Sequence, residues 1–121
     1  MKRDMELIRQ ILLEIEADDD VFAAIPRIKG KSLKLTRYQI DMLVSEGYLS
    51  EHMEENYGTP IELGFQITWK GHEFLETIRD PVIWSKTKDG AKKAGTWSVT
   101  LLMELGKAYA MQTARDHGLP V

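Results

Sequence analysis

The sequence contains no cysteine. That excludes disulfides, thiolate metal sites and cysteine nucleophiles, and it fits a reducing cytoplasm. Long hydrophobic runs are missing too: apolar stretches last a few residues, against the ~20 a membrane-spanning helix needs. The opening Met1-Lys2-Arg3-Asp4-Met5-Glu6 is charged throughout, and no uninterrupted apolar stretch of signal-peptide type follows it. Histidine is scarce. His52, His72 and His117 stand far apart, without a His-x-x-x-His pair, so no zinc ligand set is expected. Glycine-rich phosphate loops and nucleophile elbows are absent. Glu51, Glu54 and Glu55 share one segment but have no partner base, so they do not read as a general acid/base pair. The expectation is a cytoplasmic protein that is not an enzyme, with no catalytic residue, no metal, no cofactor and no membrane partner.

The 121 residues, 43% hydrophobic and 29% charged, suit an ordinary globular chain. A formal net charge of -3 counts against a dedicated nucleic-acid binder, in which cationic side chains supply most of the affinity. The local distribution is uneven, however, and it matters more than the sum.

Helical spacing is clearest at the start. Leu7, Ile8, Ile11, Leu12 and Ile15 form one apolar stripe, with Asp4 as N-cap. Asp18-Asp19-Asp20 oppose the macrodipole and should stop the helix near Glu16 or Ala17. Val21 to Ile25 reads as a short strand or apolar connector, limited by Pro26. A second helix is predicted from about Arg37 to Glu46, with Thr36 as N-cap, Ile40, Leu43 and Val44 facing inward, and Gly47 in a left-handed C-terminal turn. Tyr48 and Leu49 then leave as a strand. Glu51 to Pro60 reads as a polar loop, and Ile61 to Trp69 alternates as a half-buried strand. Another helix, starting at Thr68 or Lys70, carries Phe74, Leu75 and Ile78 and ends at Asp80-Pro81. A short helix around Lys86 to Lys93 and a last one from about Ser98 to Asp116 complete the chain.

The predicted fold class is mainly α with a small β-hairpin. Two segments narrow it: Ile40-Asp41-Met42-Leu43-Val44-Ser45-Glu46-Gly47-Tyr48-Leu49, and Phe65-Gln66-Ile67-Thr68-Trp69-Lys70-Gly71-His72-Glu73-Phe74-Leu75. Together they resemble bacterial winged-helix regulators, in which a recognition helix turns at a glycine into the wing and the wing returns through a threonine-capped step into the next helix. The resemblance implies a winged helix-turn-helix domain over residues 1–80. Residues 81–121 would form a helical extension that packs on it or makes a homodimer interface.

A broader resemblance rests on the opening Met1-Lys2-Arg3-Asp4-Met5-Glu6-Leu7-Ile8-Arg9 and on Trp69-Lys70-Gly71-His72-Glu73-Phe74-Leu75-Glu76-Thr77-Ile78-Arg79-Asp80 with Trp84. Both blocks are similar to the domain-of-unknown-function 2513 family of small bacterial and phage-associated proteins. This resemblance implies a bacterial or prophage setting and supplies no catalytic residues. It also implies a histidine where Gln39 stands, and the sequence departs from the family there.

Arg27, Lys29, Lys31, Lys34 and Arg37 span eleven positions without an acid. At the leading end of a recognition helix, Lys34, Arg37, Tyr38 and Gln39 would contact double-stranded DNA, and Arg27, Lys29 and Lys31 would hold phosphates. Glu51, Glu54, Glu55 and Glu62 argue the other way, since acids on a wing repel the DNA backbone. Lys86, Lys88, Lys92 and Lys93 offer a second basic surface or a solvated face. Trp69, Trp84 and Trp97 could stack bases but more simply belong to a core or interface. Met103, Ala110 and Met111 lie off the main stripe of the last helix, which leaves a homodimer open. The function expected is a DNA-binding regulator; the alternative is a protein-interaction module whose acidic wing docks a basic partner.

Overall fold

The computed structural model describes residues 1–121. It contains five helices and one antiparallel hairpin: α1 (Met5–Ala17), α2 (Leu33–Ser45), β1 (Leu49–Asn56), β2 (Thr59–Ile67), α3 (Trp69–Ile78), α4 (Pro81–Ala94) and α5 (Val99–Asp116). The predicted class, mainly α with a small hairpin, is the observed one. The chain divides into two compact units, Met1–Glu73 and Phe74–Val121, with the boundary inside α3.

In the first unit α1 buries Met5, Leu7, Ile8, Ile11, Leu12 and Ile15. Its cap is the expected one: the Asp4 carboxylate accepts from the Leu7 N–H. A cap is worth about 1 kcal/mol, while each fully buried Leu or Ile contributes about 2 kcal/mol, so packing rather than capping holds the helix. α1 packs on α2 and β2, and α2 packs on β1. Ile40, Leu43, Leu49, Phe65 and Ala23 complete this core.

α2 starts four residues earlier than the sequence suggests. Ser32, not Thr36, is the N-cap, its hydroxyl accepting from the Leu35 N–H. Thr36 lies one turn inside, where its hydroxyl donates to the Ser32 carbonyl. The first turn holds the exposed Leu33 and Lys34 and so shows no apolar periodicity. Residues 18–32 connect α1 to α2 without helix, and Ala23 forms an isolated antiparallel bridge with Phe65.

The hairpin is longer than predicted. Most of the expected polar loop is paired strand, from Glu51↔Phe65 out to Asn56↔Thr59, and only Tyr57 and Gly58 turn. Both have positive φ, 52° and 78°, as a two-residue hairpin turn of the right twist requires. The outer strands are exposed on both faces, which removes the alternation that marks a half-buried strand. The register shifts between His52 and Met53, where Leu63 is the extra residue on β2.

The exit into α3 follows expectation. The Thr68 hydroxyl accepts from the Gly71 N–H and donates to the Gly47 carbonyl. A Cβ on Gly71 would run into the Tyr48 carbonyl, so only glycine permits this approach.

In the second unit α4 is a full helix rather than a short one. Asp80 caps it, accepting from the Val82 and Ile83 N–H groups, and Pro81 occupies the first turn, where its missing N–H costs nothing. α4 packs on α5, which Ser98 caps. Phe74, Leu75, Ile78, Trp84, Ala91 and Leu102 are buried.

Candidate functional site

The seven candidate DNA-contact residues are not one free surface. Gln39 is fully buried. Its side-chain carbonyl accepts from the Asp4 N–H at 2.8 Å, and its amide donates to the Lys2 carbonyl at 2.9 Å. It ties the chain before α1 to the middle of α2. The outward, base-reading role expected of Gln39 is therefore corrected: it is a structural residue. The signal was present in the spacing. Thr36, Gln39, Ile40 and Leu43 follow the i, i+3, i+4, i+7 rule and all are buried. Polar identity at two of the four positions concealed the face.

Arg37 does lie at the surface, but three carboxylates hold it. Its Nε donates to Asp41 at 3.0 Å, Nη1 to Glu62 at 2.8 Å and Nη2 to Glu51 at 3.2 Å. The guanidinium also lies 5.5 Å from the centre of the Phe65 ring. Asp41 is one helical turn along α2, while Glu51 and Glu62 come from the two strands. The base of the hairpin is thus clamped onto α2 through one arginine. Lys31 pairs with Asp4 at 3.4 Å. Arg27, Lys29, Lys34 and Tyr38 are exposed.

The clamp perturbs its own acids. The Glu51 carboxyl is pushed up, first by its hydrogen bond with Glu62 and then by burial, against the pull of Arg37. Burial works to raise Glu62, but hydrogen bonds with Arg37 and Glu51 and the charge of Arg37 outweigh it and hold Glu62 below the usual range. The hydrogen bond to Glu62 raises Arg37, against desolvation.

Residues 38–69 carry Asp41, Glu46, Glu51, Glu54, Glu55 and Glu62 and no lysine or arginine. Arg37 is ion-paired with three of these, Asp41, Glu51 and Glu62. The outer half, residues 53–63, is exposed at every position. It presents Glu54 and Glu55 beside Met53, Ile61 and Leu63, with Tyr57 fully exposed at the tip.

Of the tryptophans, Trp84 is buried, Trp97 is half-buried and Trp69 is 81% exposed. For Trp69, this exposure corrects the core half of the core-or-interface expectation. On α4, Lys93 pairs with Asp89 and Lys88 lies over the Trp84 ring. No three His, Asp or Glu side chains meet in a cluster that could hold a metal ion. No helix is long and apolar enough to cross a membrane.

Comparison with known proteins gives a family whose description names no activity. The model of the family described as "Hypothetical protein (DUF2513)" matches residues 2–97. A relative from Haemophilus influenzae, described as "Uncharacterized protein", is 28% identical over 94 residues, covering 76% of this chain and 80% of its own length. No solved structure matches. Apart from Met1, the blocks at the N-terminus and around α3 that carried the resemblance fall within the matched residues, and the chain belongs to the DUF2513 family.

Proposed function

We propose that the chain is a non-enzymatic protein-interaction module on a winged-helix scaffold, with the acidic hairpin as the docking element for a basic partner. The scaffold reading rests on the order α1, α2, β1, β2, α3 and on the abrupt turn from α2 into β1 at Gly47, whose φ is +82°. Its departure from a helix-turn-helix is the non-helical connector of residues 18–32, which replaces the helix that would precede a recognition helix. One observation carries the choice of function. The arginine best placed to meet DNA is bound to the wing's own carboxylates, while the wing's outer half is exposed and acidic. A phosphate reaching Arg37 would have to displace three carboxylates and then lie beside them, against charge repulsion. A cationic protein meets no such barrier at Glu54 and Glu55.

Two probes test this reading by fluorescence anisotropy across salt concentration: a labelled DNA duplex and a labelled peptide of alternating lysine and valine. The peptide is expected to bind, and to lose binding in the charge-reversed Glu54→Lys/Glu55→Lys variant. The duplex is expected not to bind at low salt. Duplex binding that weakens with salt and is lost in Lys29→Glu/Lys34→Glu would overturn the proposal in favour of a DNA-binding regulator, in a bacterial or prophage cytoplasm as the family resemblance implies.

A further inference from the structure

The hairpin has two edges, protected in different ways. Ala23 both donates to Phe65 and accepts from it, at 2.9 and 2.8 Å. The backbone N–H and C=O of Phe65 therefore point away from β1. In an antiparallel ladder the two members of such a pair both direct these groups outward. Glu51, the partner of Phe65, thus turns its N–H and C=O away from β2. Beyond the bulge the same result follows from the turn. Asn56↔Thr59 closes the two-residue turn as a hydrogen-bonded pair, so Glu55↔Pro60 and Met53↔Glu62 are non-hydrogen-bonded pairs. The outward groups of β1 therefore belong to Glu51, Met53 and Glu55. None of their N–H groups donates to a backbone carbonyl elsewhere in the chain.

The outer edge of β2 is blunted in three ways: the connector covers it at Phe65, the bulge bends it at Leu63, and Pro60 removes an outward N–H. Bulges and prolines are the usual protections of an exposed edge. β1 has neither, nor a lysine. Its protection is negative charge, from Glu54 and Glu55, since Glu51 is ion-paired with Arg37. That charge selects the occupant, because a second copy of the same edge would set glutamates against glutamates.

We infer that the outer edge of β1 accepts an extended lysine- or arginine-rich segment of another protein as an added β-strand, pairing with the backbone of Glu51, Met53 and Glu55 and neutralising Glu54 and Glu55. This rests on the interaction-module reading above and specifies its mode: main-chain hydrogen bonds hold the strand, and the carboxylates choose its charge.

The test uses the full chain and the lysine–valine peptide, with a second peptide N-methylated at every other residue. Methylation leaves every charge in place and removes the amide donors of one edge. The plain peptide is expected to slow hydrogen exchange at the Glu51, Met53 and Glu55 amides, and methylation to weaken binding about tenfold or more, as lost backbone bonds should. Met53→Pro, which leaves the charge unchanged, is expected to lose binding to a similar degree. Should that variant unfold the hairpin, the methylated peptide still decides on the intact protein. Equal binding of the two peptides without protection of these amides overturns strand addition and leaves the acidic docking surface standing. Failure of both peptides to bind overturns both readings. A concentration-dependent dimer that protects the same amides without peptide gives the edge to a second copy and overturns the inference.

Discussion

The basic strip of residues 27–37 and the outer half of the hairpin, residues 53–63, carry opposite charge, and the chain treats them differently. In the strip, Lys31 and Arg37 are ion-paired to Asp4, Asp41, Glu51 and Glu62. Gln39, the next candidate along α2, is a core residue. In the outer hairpin Glu54 and Glu55 are exposed and the neighbouring residues include no cation. A cluster of like charges in a sequence marks a binding surface only where the fold has not already supplied counter-ions. By that measure Glu54 and Glu55 are available at the tip, whereas the strip loses Lys31 and Arg37 to counter-ions and keeps Arg27, Lys29 and Lys34 exposed.

The strongest way to break this contrast is at the root of the hairpin. Gly64 has φ +135°, and a Cβ there would lie 2.5 Å from the Ala23 carbonyl oxygen. Gly64→Ala therefore adds both a disfavoured backbone conformation and a steric clash where the connector crosses β2. It is expected to destabilise the protein by about 3 kcal/mol or more, measured by urea unfolding. A loss below about 1 kcal/mol would mean that the hairpin is not anchored to the connector as described.

Gln39→Ala comes next. It removes two hydrogen bonds to the backbone and leaves a cavity, and about 2 kcal/mol of stability should go with them. Its binding to a DNA duplex should not differ from that of the unaltered protein once both are folded. A change in duplex affinity without a change in stability would restore Gln39 to the surface. Lys29→Glu/Lys34→Glu, by contrast, should shift stability by no more than about 0.5 kcal/mol, since neither lysine makes an ion pair.

What was legible in the sequence follows from the same physics. α1 could be placed nearly to the residue because its stripe is apolar and its cap is an aspartate. The Gly47 turn and the Thr68 cap could be placed because each rests on one residue type with one conformational reason. The start of α2 could not, because Leu33 is exposed and Thr36, a good cap residue, stands just before the apolar period begins. The outer strands were hidden because Glu54, Glu55 and Asn56 bury neither face, so no period of two appears. The clamp was invisible for a different reason: Arg37, Glu51 and Glu62 are brought together by the hairpin register and by the packing of α2 on β1. Their charges could be counted beforehand, but their pairing depends on contacts distant along the chain.

The smallest expected effect is the most informative about the clamp. Arg37, Glu51 and Glu62 remain about a third exposed and Asp41 more so, so Arg37→Met should cost no more than about 1 kcal/mol at neutral pH. Its pH dependence carries the signature. Glu62 is held below its unfolded value, so its contribution is present above that value and disappears as pH falls through the folded one. Glu51 is raised, so its contribution is present below the unfolded value and disappears as pH rises through the folded one. For the unaltered protein these opposing windows place a shallow stability maximum near the ordinary glutamate range. In Arg37→Met the cation that holds Glu62 down is gone, while the two carboxylates still face each other. The difference between the two proteins should therefore be largest near neutral pH, where both glutamates are charged, and shrink in acid as they protonate. Unfolding midpoints measured across pH check this directly. A difference that stayed constant from neutral pH into acid would mean that Arg37 acts through its packing on Phe65 and not through the carboxylates of the hairpin.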